Sequence, residues 1–176
     1  MLNVFTVPDA RSGGYFELAL ELGPPNDARL RTAFEVLWSH PDVESVYVEQ
    51  EREPDVQPWL RAHYVDPLAQ SARGLVRFAD LVVVPCAVRV VREEGGADRL
   101  NFPFPAAALG RAFPEAGNAF WDPEEARSTH DVQVQRVEAW LAGFGQRVFA
   151  RVPFRLGLIG LCNPGWRQLS CWRRRA

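Results

Sequence analysis

Residues 16–50 read FELALELGPPNDARLRTAFEVLWSHPDVESVYVEQ, and this stretch decides the fold. Apolar residues alternate with Glu and Ala from residue 16 to residue 22, and this period of two predicts a half-buried strand. Gly23 and the two prolines after it end that strand. Asn26 or Asp27 can then cap a helix, because a short side-chain oxygen accepts the first free backbone N–H groups.

A helix and a second strand follow in the same stretch. Apolar residues recur at helical spacing and form one stripe, which consists of Leu30, Ala33, Phe34, Leu37 and Trp38. Pro41 ends the helix because proline cannot continue the hydrogen-bond ladder. Alternation resumes over residues 43–50, so the first third of the chain predicts strand, helix and strand.

The rest of the chain alternates between regular and irregular segments. Residues 51–80 contain three prolines and no steady period, which indicates a long irregular connection, and residues 114–129 form a second one. The predicted regular elements are a β-hairpin over 81–92 and 99–104, a short helix over 105–113, a helix that begins at Asp131, and a last strand over 154–161.

This order predicts an α/β protein of the α+β type, a single domain over residues 1–176. The expected architecture is a two-layer sandwich with a mixed, mostly antiparallel sheet. The element order β-α-β-loop-β-β-α-α-β resembles the ferredoxin-like order β-α-β-β-α-β with one strand and one short helix added. A fold-level likeness of this kind predicts no function.

Composition predicts a globular protein of the cytoplasm. Of the 176 residues, 47% are hydrophobic and 24% are charged, as in ordinary folded domains. Three cysteines are an odd number, which favours a reducing compartment over a disulfide framework. Residues 1–10 lack the basic start of a secretory signal, and no apolar run reaches the roughly 20 residues that span a bilayer.

Charge is unevenly distributed along the chain. Residues 1–70 carry 12 acids and 5 arginines, whereas residues 131–176 carry 2 acids and 8 arginines. The basic tail over 163–176 mixes Trp with Arg, a combination that can stack on bases. The pI of about 5.9 disfavours a nucleic-acid partner all the same, because the body of the chain has no basic stripe.

The motifs of catalysis and cofactor binding are missing from the sequence. There is no lysine and hence no Walker loop, and no G-x-G-x-x-G occurs. The three histidines are far apart in sequence, and no Cys-x-x-Cys spacing exists. We therefore predict no catalytic residues, no cofactor and no metal.

The run of acidic residues after the second strand is the most suggestive feature for binding. An acidic surface with an aromatic anchor attracts basic partners and then holds them. The predicted partner-binding residues are Glu49, Glu51, Glu53, Asp55 and Trp59. The alternative, that they form a plain solvated loop, stays open.

Two classes of function follow. The first is a non-catalytic protein-binding module with a basic protein partner, for example a bacterial immunity protein that neutralises a toxin. The alternative is a small-molecule enzyme or a ligand-sensing regulatory domain, with its site between the sheet and the long loops. The candidate groups for an enzyme are Cys162, His63, His130 and Glu93.

Overall fold

A six-stranded antiparallel sheet is the framework of the computed structural model. The structure describes residues 5–6, 14–49, 52–69, 71–78, 82–92, 94–116, 120 and 132–162. The strands are β1 (Tyr15–Gly23), β2 (Val43–Tyr47), β3 (Ala72–Phe78), β4 (Val82–Arg92), β5 (Asp98–Pro105) and β6 (Leu156–Cys162). The helices are α1 (Asp27–Trp38), α2 (Ala106–Ala112) and α3 (Val132–Phe149).

The order of strands across the sheet is β2-β3-β4-β5-β1-β6. The α+β class is confirmed, but the ferredoxin-like order is not. The expectation of a mixed sheet is wrong for the described strands, since every neighbouring pair is antiparallel. The difference arises from β3, a strand within the segment 51–80, for which the sequence predicts a long connection with at most short helical turns.

Strand β3 is hard to predict because two of its four inward residues, Ala72 and Gly74, are small. Ala72 and Gly74 face the helices, and the indole of Trp38 occupies the place where a side chain at Gly74 would be. A strand whose buried face begins with Ala and Gly gives little hydrophobic periodicity, although it is paired along its whole length with β4.

The main core lies between the sheet and helices α1 and α3. Helix α1 begins at the predicted cap, because the Asn26 side chain accepts a hydrogen bond from the Arg29 N–H at 2.8 Å. The ring of Phe102 on β5 packs against Trp38 of α1 and against Phe144 of α3. Both helices therefore cover the same face of the sheet.

A turn after α1 also holds α3 in place. His40 stacks on Phe144 with ring centroids 3.7 Å apart, and Asp42 accepts a hydrogen bond from the Trp140 indole at 2.7 Å. The Asp42 N–H donates to His40 Nδ1, and burial lowers the pKa of His40. This turn is thus a structural link between two helices.

An ion pair with a buried carboxylate joins α1 to the β4–β5 hairpin. Asp98 is fully buried, and its carboxylate accepts hydrogen bonds from Arg92 at 2.7 and 2.9 Å. The same carboxylate accepts from the Asn26 N–H at 2.9 Å. Arg92 also reaches Asp27, which is largely exposed. Asp98 therefore fixes the start of α1 on the sheet.

Several predicted features lie outside the described residues. These are the basic tail 163–176, most of the segment 114–129, and Glu51 of the acidic run. None of the helices in the described part of the chain combines the length and the hydropathy needed to cross a bilayer.

Candidate protein-binding site

One glutamine side chain orders the acidic loop that follows β2. Gln57 is buried, and its Oε1 accepts from the Glu49 N–H at 3.1 Å. Its Nε2 donates to the Glu49 carbonyl at 3.0 Å and to the Arg52 carbonyl at 2.6 Å. A buried amide with three such bonds holds both ends of the loop together.

The predicted acidic residues have different surroundings. Glu49 forms an ion pair with Arg52 at 3.2 Å. Glu53 accepts hydrogen bonds from the backbone N–H groups of Phe5 and Thr6 at 3.0 and 2.7 Å. Asp55 is exposed in a short 3-10 turn over Pro54–Val56. The structure thus gathers these residues in one loop, where Glu49 and Glu53 also serve to hold the loop.

An exposed apolar surface lies beside this loop. Four large hydrophobic side chains between residues 56 and 68 are at least 44% exposed, and three more such residues occur in all the rest of the described chain. We call this set the 56–68 surface, and it consists of Val56, Trp59, Tyr64 and Leu68. Apolar side chains concentrated in this way mark interaction sites.

The 56–68 surface is anchored to the body of the protein. The Leu60 N–H donates to the Val46 carbonyl at 2.8 Å and forms a β-bridge with β2. Val65 is completely buried, and the His63 and Tyr64 rings pack with centroids 4.0 Å apart. The exposed side chains therefore project from an ordered segment, which lowers the entropy lost on binding.

A groove runs beside the 56–68 surface along strand β2. Its volume is about 340 Å³. Helix α1 forms one wall and the segment after Trp59 forms the other. The lining residues are Glu35, Trp38, Ser39, residues 43–46 and residues 59–63. We call this the β2 groove.

A second and larger groove lies between α3 and strands β1 and β6. Its volume is about 680 Å³ and its lining is mostly apolar. Leu18 and Ile159 lie on its sheet side, and Ala142 and Phe149 on its helix side. We call this the α3 groove.

The candidate groups for an enzyme do not form a site within the described residues. Cys162 is half of a disulfide, so it is not the free thiol that a nucleophile requires. Cys86 is a free thiol, but burial raises its pKa and keeps it protonated. His63 lies in the short turn Ala62–Tyr64, and His130 and Glu93 lie outside the described residues. Among the described side chains, no group of three His, Cys, Asp or Glu could hold a metal ion.

A titratable group that sequence analysis overlooked lies on the other face of the sheet. Glu17 projects from β1, and desolvation raises its pKa to about 7 against the opposing effects of Arg89 and Asn101. The alternation in β1 predicted a solvated outer face. Neighbouring Ala19 on that face is nevertheless only 3% exposed. The periodicity of one strand cannot reveal that its second face is also covered.

The raised pKa of Glu17 makes stability depend on pH. A raised folded-state pKa gives stability that is complete below the ordinary pKa of 4.5 and is lost as the pH rises through about 7. We expect Glu17→Gln to remove this loss and to stabilise the protein by about 2 kcal/mol at pH 8. The full shift corresponds to roughly 3 kcal/mol, which partial exposure reduces.

Urea denaturation at pH 5 and pH 8 measures this effect. Glu21→Gln on the same face of β1 is the control, because its pairs with Arg99 and Arg155 are 3.9 and 3.8 Å long and lie near the surface. Its expected effect is below about 1 kcal/mol. Equal gains for Glu17→Gln at both pH values would show that the carboxylate is not the cause.

Comparison of the chain with protein-family models, curated proteins and solved structures finds no match. The function is therefore inferred from the geometry of the chain's own residues.

Proposed function

We propose that this chain is a non-catalytic protein-binding module that contacts its partner through the 56–68 surface. The observation that carries the proposal is the exposure of four large hydrophobic side chains on one anchored segment. Aromatic side chains such as Trp59 and Tyr64 are the usual energetic centres of protein interfaces. An ordered segment presents them without a large cost in conformational entropy.

Charge around this surface favours a basic partner. The described residues between 35 and 69 include seven acids and two arginines, and Arg31 and Arg77 from outside this range pair with Asp66 and Glu44. An excess of negative charge accelerates the approach of a positively charged protein, and salt screens this attraction. The predicted residues Glu49, Glu53 and Asp55 contribute to this field even where they also make contacts within the loop.

A specific form of the proposal is a bacterial immunity protein that neutralises a basic toxin domain in the cytoplasm. Its support is the acidic, aromatic surface on a small domain. The odd number of cysteines favours a cytoplasmic location, whereas the disulfide at Cys162 favours an oxidising compartment, since disulfides are rare in reducing ones.

Truncation of the exposed aromatics tests the proposed function. We expect Trp59→Ala and Tyr64→Ala each to weaken binding of the partner by about 30-fold, which corresponds to roughly 2 kcal/mol. Val132→Ala is the matched control, since Val132 is 61% exposed and Trp59 is 59% exposed. Affinity capture with the wild-type chain and the three variants identifies the partner, and calorimetry then measures each affinity. A partner that binds all four chains equally would refute the proposal.

The α3 groove supports a second candidate, a domain that binds a small apolar ligand. Its volume of about 680 Å³ lies in the range of natural ligand pockets, and its lining is mostly apolar. A thermal-shift screen with apolar metabolites tests this candidate. A ligand of this groove should stabilise the wild-type chain but not Ala142→Trp, which would fill the groove.

A further inference from the structure

Strand β6 forms the edge of the sheet opposite to β2. It pairs with β1 along all seven of its residues, and no other described strand lies on its outer side. Edge strands can pair with other chains, so proteins usually protect them with charges, prolines, bulges or covering segments. Strand β2 has such protection, because it carries Glu44, is bridged by Leu60 and has an irregular register with β3.

Strand β6 has none of these forms of protection within the described residues. Its sequence, LGLIGLC, contains no charged residue and no proline, and its register with β1 is continuous. Apolar side chains also lie beside its first residues. Phe149 is 50% exposed and packs edge-on against Phe154, with ring centroids 5.1 Å apart. A regular, uncharged and apolar edge of this kind favours pairing with a further strand.

The sequence of β6 is complementary to itself when two copies run antiparallel. If Ile159 of one copy lies opposite Ile159 of the other, Gly157 lies opposite Leu161, and Gly160 lies opposite Leu158. Each glycine then faces a leucine, and the pattern is the same from either copy, as a two-fold axis requires. Glycine weakens a strand because it has no side chain to pack, and a large residue opposite compensates for this.

The structure has room for the leucine that would face Gly160. Nothing lies within 4 Å of the position that a methyl group at Gly160 would take. At Gly157 the Phe154 ring lies 3.0 Å from the corresponding position, so Leu161 of a second copy would extend an apolar surface that is already formed. Ile159 and Leu161 are only half-buried in the single chain. Pairing would therefore cover apolar area that the single chain leaves exposed.

Charge does not oppose this pairing. Arg155 directly precedes β6, is 70% exposed and lies 3.8 Å from Glu21 of its own chain. In the antiparallel pair the two Arg155 residues lie at opposite ends, about 25 Å apart at roughly 3.3 Å per residue. This distance exceeds the roughly 8–10 Å over which exposed charges act at physiological salt.

We propose that two copies of this chain associate through β6 about a two-fold axis at Ile159, so that their six-stranded sheets join into one. This proposal does not rest on the proposed function, because the 56–68 surface lies beside β2, at the opposite edge of the sheet. The two β2 strands of the dimer are about 50 Å apart at roughly 4.8 Å per strand. The dimer thus presents two 56–68 surfaces, which increases its hold on a partner with two sites.

Analytical ultracentrifugation of the full chain tests the association. We expect a species of twice the chain mass of 19.8 kDa at high micromolar concentration. Hydrogen exchange at the amides of residues 157–161 should slow as the concentration rises, because N–H groups on the outer side of β6 become paired. A chain that stays monomeric at millimolar concentration would overturn the proposal. Protection of these amides at every concentration would also overturn it, since another segment of the same chain would then cover the edge.

A charge variant makes the test specific to β6. Gly160→Glu places a carboxylate in a position that is open in the single chain but lies inside the interface of the dimer. We expect it to raise the dissociation constant at least about 10-fold, because pairing would desolvate the charge. Gly143→Glu is the matched control, since its position on α3 is equally open, and it should leave the dimer intact. Equal association of both variants would contradict the proposed interface.

A mixture of two variants tests the register and shows that the variants are folded. Gly160→Glu and Gly160→Arg should each be monomeric alone, whereas an equimolar mixture of the two should associate. In the proposed register the two residues at position 160 are diagonal neighbours on the same face, where opposite charges attract. A mixture that stays monomeric would refute pairing about Ile159.

Discussion

Replacement of Asp98 by Ala is expected to cost about 2–3 kcal/mol of unfolding free energy. Asp98 is fully buried and bonded to Arg92 and to the Asn26 N–H. Removal of its carboxylate leaves the Asn26 N–H without its partner, whereas Arg92 keeps its pair with Asp27. Loss of one member of a fully buried ion pair costs about 3–5 kcal/mol, and the exposure of Arg92 lowers the cost here. Guanidinium denaturation at pH 7 measures the change.

Asp27→Ala is the matched control for Asp98→Ala. Asp27 binds the same Arg92 at 2.7 Å, but its side chain is 76% exposed. Its loss should cost less than about 1 kcal/mol. Equal costs for the two variants would contradict the structural role given to Asp98.

Lowering the pH should destabilise the wild-type chain in part as Asp98→Ala does, because it protonates the same carboxylate. Hydrogen bonds from Arg92 hold the pKa of Asp98 below its ordinary value of 3.8. A lowered folded-state pKa gives stability that is present above pH 3.8 and is lost as the pH falls through the folded-state pKa. In Asp98→Ala this loss should be missing from the acid limb of the stability curve.

Gly74→Ala is expected to destabilise the protein by about 3 kcal/mol. A methyl group at Gly74 would lie 2.6 Å from the Ser45 carbonyl oxygen and 2.8 Å from Cη2 of Trp38. Neither neighbour can yield easily, since Ser45 is paired in the sheet and Trp38 is packed in the core. Overpacking of a filled core costs about 1–3 kcal/mol, and here the backbone is one of the obstacles.

The same substitution in an open place should have the opposite sign. Nothing lies within 4 Å of the position that a methyl group at Gly143 would take in α3. Gly143→Ala should therefore stabilise the helix by about 0.5–1 kcal/mol. Thermal denaturation of both variants separates the two effects. Similar melting temperatures would show that Trp38 does not need the space at Gly74.

Local patterns predicted those parts of the fold whose signals are local. The alternation in β1, the Asn26 cap and the stripe of α1 are each contained in a few neighbouring residues, and the structure confirms all three. Strand β3 depends on a contact between Gly74 and Trp38, which are 36 positions apart in sequence. No pattern within β3 carries that information, and the error in sheet order follows from it.

The candidate site was predictable only in part for a similar reason. Composition singled out Trp59 and the acids near it. The bonds that order their loop join Glu53 to Phe5 and Thr6, which lie 48 and 47 positions away. Val56 and Tyr64 also escaped notice, because an exposed apolar residue and a buried one look alike in a sequence. The alternation of apolar and polar residues in β1 likewise gives no sign that Glu17 is buried.

The order of the sheet has a consequence for how the chain reaches its folded state. Strands β3 to β5 follow one another in sequence and in space and are joined by short connections, whereas residues 48–71 separate β2 from β3. Strand β1 pairs with β5, 75 to 90 positions away, and β6 pairs with β1 across more than 130 positions. Closing such long loops costs conformational entropy before the strands can pair, and this cost slows folding. We therefore expect the meander of β3, β4 and β5 to form before β1 and β6 pair with it.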